Sequence, residues 1–237
     1  TPVVSSAASD VYKRQAWLRD NKPDTFEKTA WFANGQEYFL YLLGADRWET
    51  DPASLTLNGM MDIRKLDWSD RVLEMCGISR DRVPPVGPPS GMVGKVSKQA
   101  SEATGIPEGV ILCRGAGDQQ CAAIGAGVIR QGMAEFTVGT AGVMVAHLDS
   151  VDRIKGKNLW WGGHGVPNAW DIEGGAFCLG ASLKWWRDNL GLDEVQEAES
   201  RNTSPYSVMV DKAQESPAGA RGLLFHSFLA SQVTPYY

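Results

Sequence analysis

Apolar residues recur at helical spacing over residues 25–43, where Phe26, Ala30, Phe39, Leu40 and Leu43 share a face and Gly44 follows as a left-handed cap. This pattern predicts one helix over the whole stretch. The shorter segment DWSDRVLEMCG repeats it, with Trp68, Val72, Leu73 and Cys76 on one side and Gly77 at the end. The run RVPPVGPPSG at 82–91 then breaks all periodicity, because prolines remove backbone donors and fix the chain. It reads as a crossing loop inside one domain. A strand at MVGKVS, a short helix ending at Gly105 and a short buried strand at Val110–Arg114 follow. After that strand come Gly115, Ala116 and Gly117, and the small-residue run CAAIGAG predicts a tightly packed helix. Further on, two β-rich runs flank Gly139-Thr140-Ala141-Gly142. Residues 173–191, EGGAFCLGASLKWWRDNLG, predict a helix with Phe177, Leu183, Trp186 and Leu190 as its apolar stripe, Gly180 inside it and Gly191 as its cap. The alternation of helix and strand signals places the chain in the α/β class.

Composition narrows the partners. An apolar share of 43% with 22% charged residues is that of an ordinary water-soluble protein. A net charge of −5 without any basic run argues against nucleic acid, since phosphate neutralisation needs clustered Lys and Arg. No apolar stretch approaches the ~20 residues of a membrane span. Cys76, Cys113, Cys121 and Cys178 form no Cys-x-x-Cys pair, so they read as buried reduced thiols, and the expected location is cytoplasmic. Residues 1–15, TPVVSSAASDVYKRQ, lack periodicity and resemble a translated linker. FLASQVTPYY at the other end stops after an apparent strand and a Thr-Pro turn, and both ends read as those of a piece of a longer protein.

The chemistry concentrates around GAGDQQ. A strand running into glycines brings Asp118 to the kind of place where α/β folds bind ligands. The same Asp118 can instead be a helix cap, accepting from the free N–H groups of the next helix. The Gly139–Gly142 turn has two readings as well: a hairpin whose glycines supply positive φ, or a cradle in which backbone N–H groups and the Thr140 hydroxyl hold phosphate oxygens. Gly180 within a helix costs ~1 kcal/mol relative to Ala, which calls for close packing or a ligand against the backbone. His147, His164 and His226 lack metal-ligand spacing and read as structural or surface residues. The pairs Trp160–Trp161 and Trp185–Trp186 could stack on sugars, but one of each more often belongs to a core. There is no Gly-x-Ser-x-Gly elbow for a serine hydrolase, and GAGDQQ lacks the third glycine of a dinucleotide-binding turn.

Taken together, GAGDQQCAAIGAGVIRQGMAEFTVGTAG, EGGAFCLGASLKWWRDNLG and SPAGARGLLFHSFLASQVTPYY, in this order and spacing, resemble the FGGY carbohydrate kinases. The upstream stretch from TDPASLTLNGMMDIRKLDWSD to GMVGKV is similar to the family's first lobe. The resemblance implies an actin-like, ribonuclease H-like ATPase fold, incomplete here. Residues 16–130 would be the second part of the N-terminal substrate lobe, and 131–237 the first part of the C-terminal nucleotide lobe. It implies transfer of phosphate from ATP with Mg²⁺ to a small sugar or polyol. Asp118 would be the catalytic base, Gln119 a substrate contact, Gly139 and Thr140 the turn that meets the ATP phosphates, and Gly180 and Lys184 the nucleotide-bordering helix. A homodimer is implied by the family alone. The family's Asp-x-Gly-Thr loop and its adenine loop are missing from this sequence, so no metal ligand is assigned and the isolated chain is expected to be inactive. The residues between the motifs are most similar to xylulokinase-like enzymes, which makes a ketopentose such as xylulose the expected substrate. GDQQ and LGASLKWWRD are also close to glycerol kinases, and a non-catalytic carbohydrate-binding relative is a third reading.

Overall fold

The structure, a computed structural model, describes residues 11–154 and 159–229. The chain divides into two compact units: one comprises the residues up to Glu135 with Val145–Glu173, the other Phe136–Met144 with the residues from Gly174 onward.

In the first unit, α1 (Val11–Asn21) is followed by α2 (Pro23–Lys28) and α3 (Gly35–Leu43). Residues 11–15 of the stretch read as a linker are helical in α1, and the rest of that stretch lies outside the described residues. The single helix expected over 25–43 is in fact two. Asn34 closes a capping box with Glu37, whose carboxylate accepts from the Asn34 N–H at 2.6 Å, so a new helix starts there. Its faces also differ from the apolar pattern, with Glu37 buried and Phe39 67% exposed. Helix α4 (Pro52–Leu57) is capped by Asp51, whose buried carboxylate accepts from Ala53 and Ser54. A two-stranded ribbon, β1 (Met61–Asp62) and β2 (Asp67–Trp68), leads to α5 (Asp70–Cys76), which begins at the Ser69 cap. The expected caps Gly44, Gly77 and Gly105 are all left-handed.

Phe26, Phe32, Leu55, Met60, Trp68, Leu73, Cys76, Ile78 and Val83 form the larger core cluster. The Trp68 indole donates to the Pro84 carbonyl at 2.6 Å, which ties the proline-rich loop to that core. Apart from Arg82, which ends a 3-10 turn, and the Val86 bridge to Thr50, the loop has no regular structure, and it wraps a side chain. Arg114 is buried against Gly87 and Gly91, pairs with Glu49 and donates to the Pro88 carbonyl at 2.9 Å.

Strand β3 (Met92–Lys95), α6 (Lys98–Thr104) and β4 (Ile111–Cys113) come next, β3 and β4 pairing antiparallel over a small cluster of Ala45, Val93, Val96, Ala100 and Leu112. The buried strand expected at 110–114 is only half covered. Leu112 points inward while Val110 and Ile111 are exposed, because β4 has one partner and one covered face. Helix α7 (Asp118–Gly125) follows, and it too is covered on one side, with Gln120 and Ala123 buried but Cys121 and Ile124 exposed.

A four-stranded sheet, in the order β5 (Ala134–Val138), β6 (Gly142–Leu148), β8 (Trp170–Ala176), β7 (Trp160–Gly163), carries the chain between the units, whose boundaries fall within β5, β6 and β8. The second unit adds α8 (Gly180–Asn189), α9 (Leu192–Ser200) and α10 (Pro205–Gln214), with Ala198, Val208 and Met209 buried. The apolar stripe expected on α8 is not its buried face. Phe177, Leu183 and Leu190 are exposed, Trp186 is half-buried, and Ser182 is the buried residue of the helix. Phe228 and Leu229 of the C-terminal segment expected to hold a strand lie outside regular structure, and the remainder of that segment lies outside the described residues. Among the described residues no helix is long and apolar enough to cross a membrane.

Candidate functional site

Asp118 opens α7 but does not cap it. The cap position is Gly117, and the Asp118 carboxylate stays exposed with Oδ1 accepting from the Gln119 N–H at 2.8 Å. Gly117 is glycine for a local reason, since a Cβ there would run into the Gln120 amide oxygen. Gln120 is thereby drawn against the backbone at the helix start. Its neighbour Gln119 has its side-chain oxygen buried with no hydrogen-bond partner. Buried polar atoms nearly always have one.

Two carboxylates that sequence reasoning missed stand behind this turn. Asp171 and Glu173 alternate along β8 and so share one of its faces. The buried Gln120 amide nitrogen donates to Asp171 Oδ2 at 2.7 Å and also to Glu173 Oε1. Burial, then the nearby Glu173 charge, pushes the Asp171 carboxyl up to about 7, against the N–H groups of Gly162 and of Asp171 itself, which favour the ionised form. Burial also raises Glu173, with Asp118 and Glu135 adding to the effect. The available signal was the Asp-x-Glu spacing in a strand, which by itself marks a solvated face as readily as a buried pair.

In the second unit, Gly139, Thr140, Gly180 and Lys184 come together on a cleft of about 610 Å³, which Trp185 and Tyr206 also line. The glycines here do not serve a left-handed turn. Gly139–Ala141 do join the neighbouring strands β5 and β6, but neither Gly139 nor Gly142 has the positive φ expected of the hairpin. Gly180 is the first residue of α8 rather than an interior one, and a Cβ on it would collide with the Gly139 carbonyl oxygen. The contact is held by hydrogen bonds from Gly180 N to Gly139 O at 3.0 Å, and from Leu179 N and Ala181 N to Thr140 O at 3.0 and 3.1 Å. Gly191, expected as the cap of this helix, follows the Leu190 cap and is needed for close approach as well, since its Cβ would meet the Trp186 ring. These bonds occupy the first N–H groups of α8, and Gly139 N donates to Ala141 O at 2.8 Å. What the turn brings to the cleft is Thr140. Lys184 lines the cleft too, but its ammonium is 2.5 Å from Asp188 one helical turn on.

Other candidates sort out by burial. His147 and His164 are buried edge to face with ring centroids 4.7 Å apart. Burial lowers both imidazoles, His164 to about 4, with the His147 ring as its second cause. Trp161 and Trp185 are each 38% exposed while Trp160 and Trp186 are half-buried, and the first pair lies on a strand. Trp185 stacks on Phe225. Cys76 and Cys178 are buried, but Cys113 and Cys121, expected inside, are exposed, because each sits on the uncovered side of a one-faced element. Among the described residues no group of three His, Cys, Asp or Glu side chains could hold a metal ion.

Comparison with known proteins gives this geometry a context. Residues 10–125 match the N-terminal domain of the FGGY family of carbohydrate kinases. The chain is 28% identical over 211 residues to an autoinducer-2 kinase of Klebsiella pneumoniae, covering 89% of this chain and 40% of that protein. It is 27% identical over 225 residues to a xylulose kinase of Bacillus subtilis, covering 94% and 42%. Its fold superposes on the crystal structure of xylulose kinase from Rhodospirillum rubrum with a TM-score of 0.80 at 25% identity, over 96% of this chain and 44% of that one. The chain thus spans about 40% of the length of the curated relatives it matches. Residues 10–125 belong to the FGGY family of carbohydrate kinases, and the mixed helix-and-strand fold of the chain matches that of these kinases.

Proposed function

We propose that the protein containing this chain transfers the terminal phosphoryl group of ATP to a hydroxyl of a small sugar, with Asp118 as general base. The observation that carries this reading is the start of α7, an exposed carboxylate on a fixed first turn beside the unpartnered amide oxygen of Gln119. Asp118 Oδ1 is held by the Gln119 N–H, which orients the carboxylate and leaves Oδ2 to accept the proton of an attacking hydroxyl. Gln119 Oε1, buried and without a partner, would accept from a second substrate hydroxyl once its side chain turns outward. An ordinary carboxylate is a weak base at neutral pH, but phosphoryl transfer relies on positioning and charge stabilisation more than on base strength.

Residues 16–130 form the substrate-lobe part of this reading and 131–237 the nucleotide-lobe part. ATP, when bound, supplies the phosphoryl group. The cleft residues fit such a ligand: a Cβ on Gly139 would meet nothing nearer than the Ala141 carbonyl at 3.7 Å, so packing around Gly139 does not require a glycine and the space beside it is open. Thr140 would offer its hydroxyl there, and Lys184 would have to exchange Asp188 for phosphate. The described residues offer no cluster of metal ligands, so no step is assigned to Mg²⁺.

A ketopentose such as xylulose is the favoured acceptor, supported by the similarity to xylulose kinases in both sequence and fold. The autoinducer-2 kinase relatives make that compound the competing acceptor. Kinase assays of the full-length protein on xylulose, ribulose, glycerol and autoinducer-2 separate these. Asp118→Asn should lower turnover by about 10²–10⁴-fold without lowering the melting temperature; an unchanged rate overturns the assignment of Asp118.

A further inference from the structure

We propose that Asp171 and Glu173 form a carboxyl pair that keeps one proton between them and, through Gln120, positions the first turn of α7 on which Asp118 stands. The proposal rests on the kinase reading for its catalytic consequence and on geometry alone for the pair itself.

The geometry is specific. Strand β8 presents both carboxyls on one face, and Gln120 meets them with a single amide nitrogen that donates to both. Asp171 is 1% exposed and Gln120 3%. Among the described residues no Lys, Arg or His pairs with either acid. The charged groups that act on the pair come from α7 and β5, and both are negative: Asp118 and Glu135. Strand β7 contributes the neutral N–H of Gly162, and α7 the neutral Gln120 amide. A buried and a half-buried carboxylate that share one neutral donor cannot both ionise cheaply, so one proton is retained above the ordinary carboxylate range and belongs to the pair. The raised positions of both groups agree with this arrangement.

The consequence reaches Asp118 through two residues of helix. Gln120 is the third residue of α7, and its side chain is packed under the Gly117 backbone. Loss of the shared proton places a second negative charge in the pair, strains the bridge at Gln120 and raises the negative potential around Asp118. Gln120, Asp171 and Glu173 are positioning residues, since none is assigned a contact with substrate.

Two measurements test this. The first needs no activity: side-chain carboxyl ¹³C shifts of Asp171 and Glu173, followed by NMR against pH in the whole chain, should move together near neutral pH. In Asp171→Asn the coupled step should disappear. Independent titration of both groups in the ordinary carboxylate range overturns the pair, whatever the protein catalyses. The second uses the full-length kinase. Gln120→Leu should lower kcat on the order of 10²-fold at little changed KM for ATP, and Asp171→Asn should abolish the fall of kcat from neutral to alkaline pH. A Gln120→Leu enzyme with normal kcat, or an alkaline fall that persists in Asp171→Asn, overturns the positioning role. A wild-type protein with no kinase activity but a coupled carboxyl step would instead refute the kinase reading and leave the pair standing.

Discussion

Replacing Gly180 by Ala is the sharpest test of how the second unit is built, because two physical effects predict opposite signs. On helix propensity alone the change is favourable, as Ala outranks Gly by up to ~1 kcal/mol in a helix. The packing says otherwise. The new Cβ would overlap the Gly139 carbonyl oxygen, a backbone atom that cannot rotate away, so either α8 or the turn must shift. Overpacking of this kind costs typically ~1–3 kcal/mol. The shift would also stretch the three bonds that tie Leu179, Gly180 and Ala181 to the turn, all now at 3.0–3.1 Å, each worth ~1 kcal/mol net. A net loss of about 2 kcal/mol remains after the propensity gain, equivalent to a fall of ~1 M in the urea midpoint at a typical m-value.

Gly142→Ala provides an internal control. Its Cβ would meet the Leu179 side-chain end at 2.6 Å, which a rotamer change can relieve, so its cost should be clearly smaller. The assay is urea unfolding of each variant followed by far-ultraviolet dichroism and tryptophan fluorescence. A Gly180→Ala midpoint equal to or above the wild type would refute the argument, and so would a Gly142→Ala loss exceeding that of Gly180→Ala.

The remaining expectations are simpler to read. A thiol-reactive reagent should label Cys113 and Cys121 rapidly in the native protein and reach Cys76 and Cys178 only after unfolding, since access governs reaction; mass spectrometry of the labelled peptides decides it. His164 holds its proton less tightly when folded, about 4 against an ordinary value near 6.5, so its contribution is present above pH 6.5 and is lost as pH falls from there toward 4. Up to ~3 kcal/mol is at stake, and His164→Phe should flatten that part of the stability profile; a wild type whose stability is level between pH 6.5 and 4 would contradict it. Asp118→Asn should separate turnover from folding, because among the described residues its carboxylate accepts only from the Gln119 N–H.

Local signals in the sequence were read well where a single residue decides the backbone. Gly44, Gly77 and Gly105 end their helices in the left-handed conformation that glycine permits. The break between α2 and α3 was also legible in principle: Asn34 followed three residues later by Glu37 is a capping box, but the apolar spacing of residues 25–43 masked it. Burial was harder to read. The apolar residues of β4 and α8 have the right periods for their elements, but a period says which residues share a face and not whether anything covers that face. Ile111, Leu183 and Leu190 therefore stay exposed, and Ser182 is buried instead. The glycines around the Gly139 turn stand out in the sequence, but not because they supply positive φ. Gly142 makes room for the Leu179 side chain and Gly180 for the Gly139 carbonyl, contacts that no window around residue 140 contains.

Gln120 is the clearest case of what a linear reading misses. In GAGDQQ the Asp stands out because an exposed carboxylate after glycines has obvious chemistry, whereas a second Gln has none until its partners are known. Those partners lie 51 and 53 residues further along the chain, in a strand whose Asp-x-Glu spacing looks like ordinary surface alternation. Only the fold turns the spacing into two acids on a buried face and the Gln into their shared donor. The same juxtaposition explains why Gly117 is glycine, since a Cβ there would run into the amide that bridges the acids. The placement of Asp118 and the protonation of β8 are therefore one arrangement: a change at either acid should be felt at the start of α7 before it is felt anywhere else in the first unit.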